Sequence, residues 1–190
     1  MNILSRLILS ANPVAIGLAA IALLAYGFVI VDVLPQWQQL HAAAGGRLPE
    51  EAFGMRYDLA GFLDRLSNDQ RADYIVLQLL DIPFFVVQAL IVSWAMALGI
   101  KAMKWEEIGA TWLLALPVIG LEADLVENLG LVLATFTHDA SSHWGYVFVA
   151  TQLKFITAQV AIALGAFGFL VWAGRNLYDR NREQRRLKLF

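Results

Sequence analysis

Residues 108–137 read IGATWLLALPVIGLEADLVENLGLVLATFT. The stretch is long enough to cross a bilayer core, for which about 20 apolar residues suffice. Yet it carries Glu122, Asp124 and Glu127. A charge at mid-bilayer costs a few kcal/mol or more, so such residues face a bundle interior and often mark function. The fold turns on whether the rest of the chain supplies helices to enclose them.

It does. The chain has 190 residues, 59% of them hydrophobic and 16% charged, with a mean hydropathy of +0.60. A soluble domain carries roughly a quarter charged residues, so this composition indicates a single integral membrane domain. No charge lies between Arg6 and Asp32, which places a first span at residues 14–34 behind the helix-start signal Asn12-Pro13. That apolar run exceeds a signal-peptide core and no small-residue cleavage site follows, so an uncleaved helix is expected. A second span runs over residues 72–100 with Asp81, the third over 108–137, and a fourth over 144–173 with Lys154. Pro83 and Pro117 lie inside spans, which membrane helices tolerate when neighbours satisfy the backbone.

The expected fold is all-α, an antiparallel four-helix membrane bundle with a short external helical cap. Arg6, Lys101, Lys104, Arg175, Arg180, Arg182, Arg185, Arg186 and Lys188 fall on one side of this arrangement. The positive-inside rule makes that side cytoplasmic, together with both termini. The tail, residues 174–190, is expected to touch anionic headgroups. The external loop, residues 36–71, contains Leu59, Phe62, Leu63 and Leu66 at helical spacing, an amphipathic cap helix. Gly45-Gly46 breaks the chain before it. Trp37, Trp94, Trp105, Trp144 and Trp172 lie near span ends, as an interfacial aromatic belt does.

Helix arithmetic places the polar residues of the spans. Asp124, Glu127 and Asn128 stand at i, i+3 and i+4 and share one face. Arg71, Tyr74, Gln78, Asp81 and Gln88 share a face of the second span, and Lys154, Thr157, Ala161, Gly165 and Gly168 a face of the fourth. At 1.5 Å per residue, Asp81, Glu127, Asn128 and Lys154 all fall roughly 12–15 Å below the external surface, with Asp124 one turn deeper. The expected site is therefore a polar cluster of Asp81, Asp124, Glu127, Asn128 and Lys154, with Arg71, Tyr74 and Gln78 at its mouth. Three acids face one lysine, so one carboxylate can be ionised at little net cost and the others must be protonated, metal-bound or hydrated. Such a cluster suits proton transfer, cation binding or ligand binding. A buried pair can also simply fix helix register, but that needs one pair rather than three acids. Glu122 lies about 160° around the third helix from Asp124. It is expected to face the first helix, a second copy of the chain, or a turn distorted after Pro117.

Other chemistry is thinly supported. Cysteine is absent, which excludes disulfides, thiolate metal sites and Cys nucleophiles. His138, Asp139 and His143 share a short external connection but lack an assured third ligand, and polar loop residues are the plainer reading. No metal or other cofactor is assigned. The net charge of −2 gives no case for nucleic acid. No G-x-x-x-x-G-K, G-x-S-x-G or H-E-x-x-H pattern occurs.

Arg71-x-x-Tyr74 leading into Leu80-Asp81-Ile82-Pro83-Phe84, then Ala123-Asp124-Leu125-Val126-Glu127-Asn128, then Leu153-Lys154-Phe155, occur in that order. The chain thereby resembles a group of small four-span bacterial membrane proteins with an A-D-x-x-E-N motif in the third helix, over residues 56–174. The resemblance implies four helices, a polar cluster at these positions and a bacterial plasma membrane. It supplies no reaction. Three functions stay open: binding of an ion or an amphipathic, lipid-like ligand from the external leaflet; an isomerase or transferase working on a lipid by acid/base chemistry; and a structural or assembly subunit. Membrane lipid and a homo-oligomer are the expected partners.

Overall fold

The computed structural model describes residues 11–30, 34–51, 53, 54 and 57–187. Six α-helices and three short 3-10 turns account for nearly all of them, with no strand among the described residues. Helix α1 is Pro13–Phe28, opened by Asn12, whose side chain accepts from the Val14 amide at 2.9 Å. Helix α2, Pro35–Ala43, follows, then a 3-10 turn at Pro49–Glu51 and helix α3, Leu59–Arg65. Helix α4 runs from Asn68 to Met103, α5 from Ala115 to Thr137, and α6 from Ala140 to Leu187.

The local chemistry of each boundary is visible. Ser67 and Gln70 form a reciprocal capping box that starts α4. Lys104 ends it in the left-handed conformation at φ 57°, and a second left-handed residue, Gly109 at φ 76°, separates the 3-10 turns Trp105–Ile108 and Ala110–Leu114. These turns correct the expected start of the third span. Residues 105–114 form a compact connection, and the continuous helix begins at Ala115. His138, also left-handed, ends α5. Asp139 then caps α6 by accepting from the Ser142 amide at 3.1 Å and the Ser141 hydroxyl at 2.7 Å. The Ser142 hydroxyl, which donates to the other Asp139 oxygen at 2.5 Å, leads these bonds in holding the carboxyl down at about 2. The expected tail from residue 174 is a helical extension of α6. Helix α6 continues to Leu187, because nothing between Gly174 and Leu187 breaks it.

Helices α4, α5 and α6 pack on one another and α1 lies against α4. The packing differs at the two ends. At one end Leu40, Leu48 and Phe62 of the 34–66 segment close over Tyr74, Leu131 and Val147. This is the expected cap, enlarged by a helix, α2, that the sequence reading left as loop. Gly45 and Gly46 make its turn at φ 75° and 96°. At the other end Met96, Ala97, Ile100, Leu114 and Ala161 form a smaller core. There a Cβ on Gly99 would stand 2.3 Å from the Gly168 Cα, so the α4 and α6 backbones touch. Helices α4 and α6 are long and apolar enough to cross a membrane. The outward residues are apolar too: Val14, Leu18, Ile21 and Leu24 of α1 are 66–74% exposed.

Candidate functional site

Just beneath the cap, α4, α5 and α6 bring the five expected cluster residues together. Lys154 of α6 ion-pairs with Glu127 and with Asp124, the latter at 3.4 Å. Asn128 donates its amide to Asp124 at 3.2 Å and to Asp81 of α4 at 3.5 Å. Thr151 donates to the other oxygen of Glu127 at 2.5 Å. Asp124, Glu127, Asn128 and Lys154 are all buried, at 0–4% exposure. Helical spacing explains the set: positions 124, 127 and 128 share the α5 face that meets α4 and α6. Lys154 also lies 4.9 Å from the centre of the Phe85 ring, so its charge is held between two carboxylates and an aromatic face. Two buried carboxylates on one ammonium, each with further hydrogen bonds, meet the condition under which a buried pair holds.

The expected mouth is a seal. Tyr74 is fully buried and Gln78 nearly so. Arg71 donates to the Leu63 carbonyl at 2.9 Å and to the His138 ring, tying the cap to the α5–α6 connection. The reason is a residue that the sequence reading did not single out. Glu50, in the 3-10 turn after Pro49, is driven into the bundle by the cap. It accepts from the Tyr74 hydroxyl and from the Gln78 amide, both at 2.8 Å. Burial pushes its carboxyl up to about 7. Burial also raises Tyr57, whose hydroxyl donates to the Arg47 carbonyl. The only sequence signal for Glu50 is Leu48-Pro49-Glu50-Glu51, a helix start flanked by an apolar residue. Its depth follows from long-range packing.

Beside Glu50 a cavity of about 200 Å³ opens between α1 and α4. Gly27, Ile30, Leu77 and Phe84 form its apolar walls, Trp37 its cap side, and Glu50, Gln78 and Asp81 its polar side. Asp81 is only partly buried. It touches both the Lys154 cluster, through Asn128, and the cavity. At this level the Tyr26 hydroxyl donates to the Leu80 carbonyl at 2.7 Å. It braces α1 against α4 next to the Leu79 carbonyl, whose usual partner position is taken by Pro83.

Glu122 does not face α1. It is exposed on an open groove between α5 and α6, among Ala123, Gly145 and Ala150. The three connection residues do not converge on a metal: His138 meets Arg71, Asp139 caps α6, and His143 meets the Tyr146 hydroxyl at 2.7 Å. No group of three or more metal-ligating side chains occurs among the described residues. Compared with known proteins, the chain matches no family model, no curated protein and no solved structure.

Proposed function

We propose that this chain is a four-span membrane protein of the bacterial plasma membrane that binds an amphipathic, lipid-like ligand or an ion. In this reading both termini are cytoplasmic and the cap is external. The ligand enters from the external leaflet into the cavity between α1 and α4. One observation carries the reading. Lys154 is consumed by Asp124 and Glu127, while Asp81 and Glu50 line a cavity whose other walls are apolar. A register lock has no use for a polar-ended cavity of that kind, whereas a site for a headed apolar molecule requires one. Support for the four spans comes from the apolar outer faces of α1, α4 and α6 and from the sidedness of the basic residues. Helix α5 then crosses against α4 and α6, with Asp124 and Glu127 paired to Lys154.

The test is mass spectrometry of small molecules co-purifying with the wild-type chain, Asp81→Asn and Lys154→Met. A molecule enriched with the wild type and lost from both variants is expected. No enrichment, with both variants less heat-stable, would leave the cluster a register lock. Turnover of a bound lipid abolished in Glu127→Gln, with binding kept, would instead identify an isomerase or transferase. A second reading, assembly with another copy, is favoured by the exposed Glu122 in its groove of small residues. Cross-linking from position 122 in native membranes tests it.

A further inference from the structure

The acceptors lining the α1–α4 cavity define the charge of its occupant. Gln78 turns its amide nitrogen to Glu50. Its carbonyl oxygen therefore faces away and has no hydrogen-bond partner, although the side chain is 2% exposed. A buried acceptor left unpaired is destabilising, and a donor supplied from outside the chain would relieve it. Asp81, at the same wall, offers carboxylate oxygens and is held only by the long 3.5 Å contact from Asn128. Glu50 adds a second acid. No lysine, arginine or histidine lines the cavity among the described residues. The nearest buried cation, Lys154, is committed to Asp124 and Glu127. Trp37 and Phe84 add aromatic walls, and a cation within about 6 Å of such a ring is attracted by it. The volume exceeds what a bare ion fills, and Gly27, Ile30 and Leu77 offer it no ligands.

Resting on the proposed ligand-binding reading, we infer that the occupant is a cationic amphiphile: an ammonium head held by Asp81 and the Gln78 carbonyl between Trp37 and Phe84, with its apolar tail running out along Ile30 and Leu77 between α1 and α4. The head supplies the N–H donors that Gln78 lacks and the positive charge that the acids lack. The tail leaves along the apolar residues Ile30 and Leu77.

The experiment is calorimetric titration of the full chain in nanodiscs at neutral pH with octylamine, octan-1-ol and octanoate, after subtraction of empty nanodiscs. Octylamine is expected to bind saturably and about tenfold more tightly than octanol, a ratio worth roughly 1.4 kcal/mol. Asp81→Asn should bring octylamine down to the octanol level, and Trp37→Leu should weaken it several-fold. Glu122→Gln, in a different groove, should leave it unchanged. If Asp81→Asn loses its helical circular dichroism, the wild-type amine-to-alcohol ratio and Trp37→Leu decide. Equal binding of all three probes would overturn the amine assignment while keeping an apolar site. Tighter octanoate binding, lost in Lys154→Met, would keep the site and reverse its charge. Saturable binding of Na⁺ or Ca²⁺ without octylamine would make it an ion site. No saturable binding of any probe by the folded chain would remove the ligand-binding reading itself.

Discussion

The capped half of the bundle and the opposite half solve the same packing problem by opposite means. Under the cap, α4, α5 and α6 are spaced by long polar side chains, and Lys154 bridges acids from α5 across the gap. At the other end α4 and α6 meet glycine to glycine, at Gly99 and Gly168, with only small or apolar residues between them. The first arrangement leaves room for a cavity and needs a 34–66 segment to cover it. The second leaves no gap where α4 meets α6 and is covered by two 3-10 turns. The contrast teaches that the buried charges are confined to the half that has a lid. On the proposed reading, a site reached from one side of a membrane requires this, and a uniform structural lock does not.

The comparison can be broken at either end. The largest effect is expected from Lys154→Met, which leaves Asp124 and Glu127 buried without a counter-charge. Unfolding in mixed micelles should show a loss of about 3–5 kcal/mol. Lys154→Met combined with Glu127→Met should recover part of it, since an apolar replacement of a buried pair is often neutral but Asp124 stays without a counter-charge. If the double variant recovers stability but binds nothing, the pair serves the site more than the fold. Next comes Gly99→Val. Its Cβ would meet backbone, not a flexible side chain, so α4 and α6 must separate, at a cost of about 3 kcal/mol. Ligand binding at the capped end should survive it.

Glu50→Ala should cost about 2 kcal/mol by stranding the Tyr74 hydroxyl and the Gln78 amide. The loss should be local, read as faster hydrogen exchange across Leu59–Arg65. The same carboxyl gives a pH dependence. Its folded value of about 7 lies above its ordinary 4.5. The folded state therefore binds more protons in that window, and cap stability falls as pH rises from 4.5 to 7. Below the window the contribution is fully present, and Glu50→Gln should flatten the slope. The smallest effect is expected from Glu122→Gln, within about 0.5 kcal/mol on the monomer. A shift in oligomeric state on chemical cross-linking would single out its groove as an assembly surface.

The cluster was legible because helix geometry is local. Positions 124, 127 and 128 share a face whatever surrounds them, and counting depth along three apolar runs brought Asp81 and Lys154 to the same level. The amphipathic cap helix was legible from Leu59, Phe62, Leu63 and Leu66 for the same reason. Glu50, Trp37 and the cavity were not. They depend on how the 34–66 segment folds back, and no periodicity in Leu48-Pro49-Glu50-Glu51 encodes that. Tyr74 and Gln78 were placed at an open mouth because their face of α4 was visible in the sequence and the residue that stoppers it was not. Glu122 was correctly set apart from the cluster by its angle, but the helix facing it could not be read from α5 alone. Helices α4 and α6 announce themselves by length and hydropathy. Helix α5 does not, because Glu122, Asp124 and Glu127 lower its apolar content.

The most direct test of a polar half open to one side and a closed half opposite uses the absence of cysteine from the chain. Ile30→Cys places a thiol on the cavity wall and Ala97→Cys one in the glycine-packed half. Both are exposed in intact cells to a membrane-impermeant thiosulfonate, which reacts only where water reaches the thiolate. The account predicts labelling of Ile30→Cys from outside and none of Ala97→Cys. Labelling of both, of neither, or of position 30 only from the cytoplasmic side of inverted vesicles, in folded protein, would contradict it.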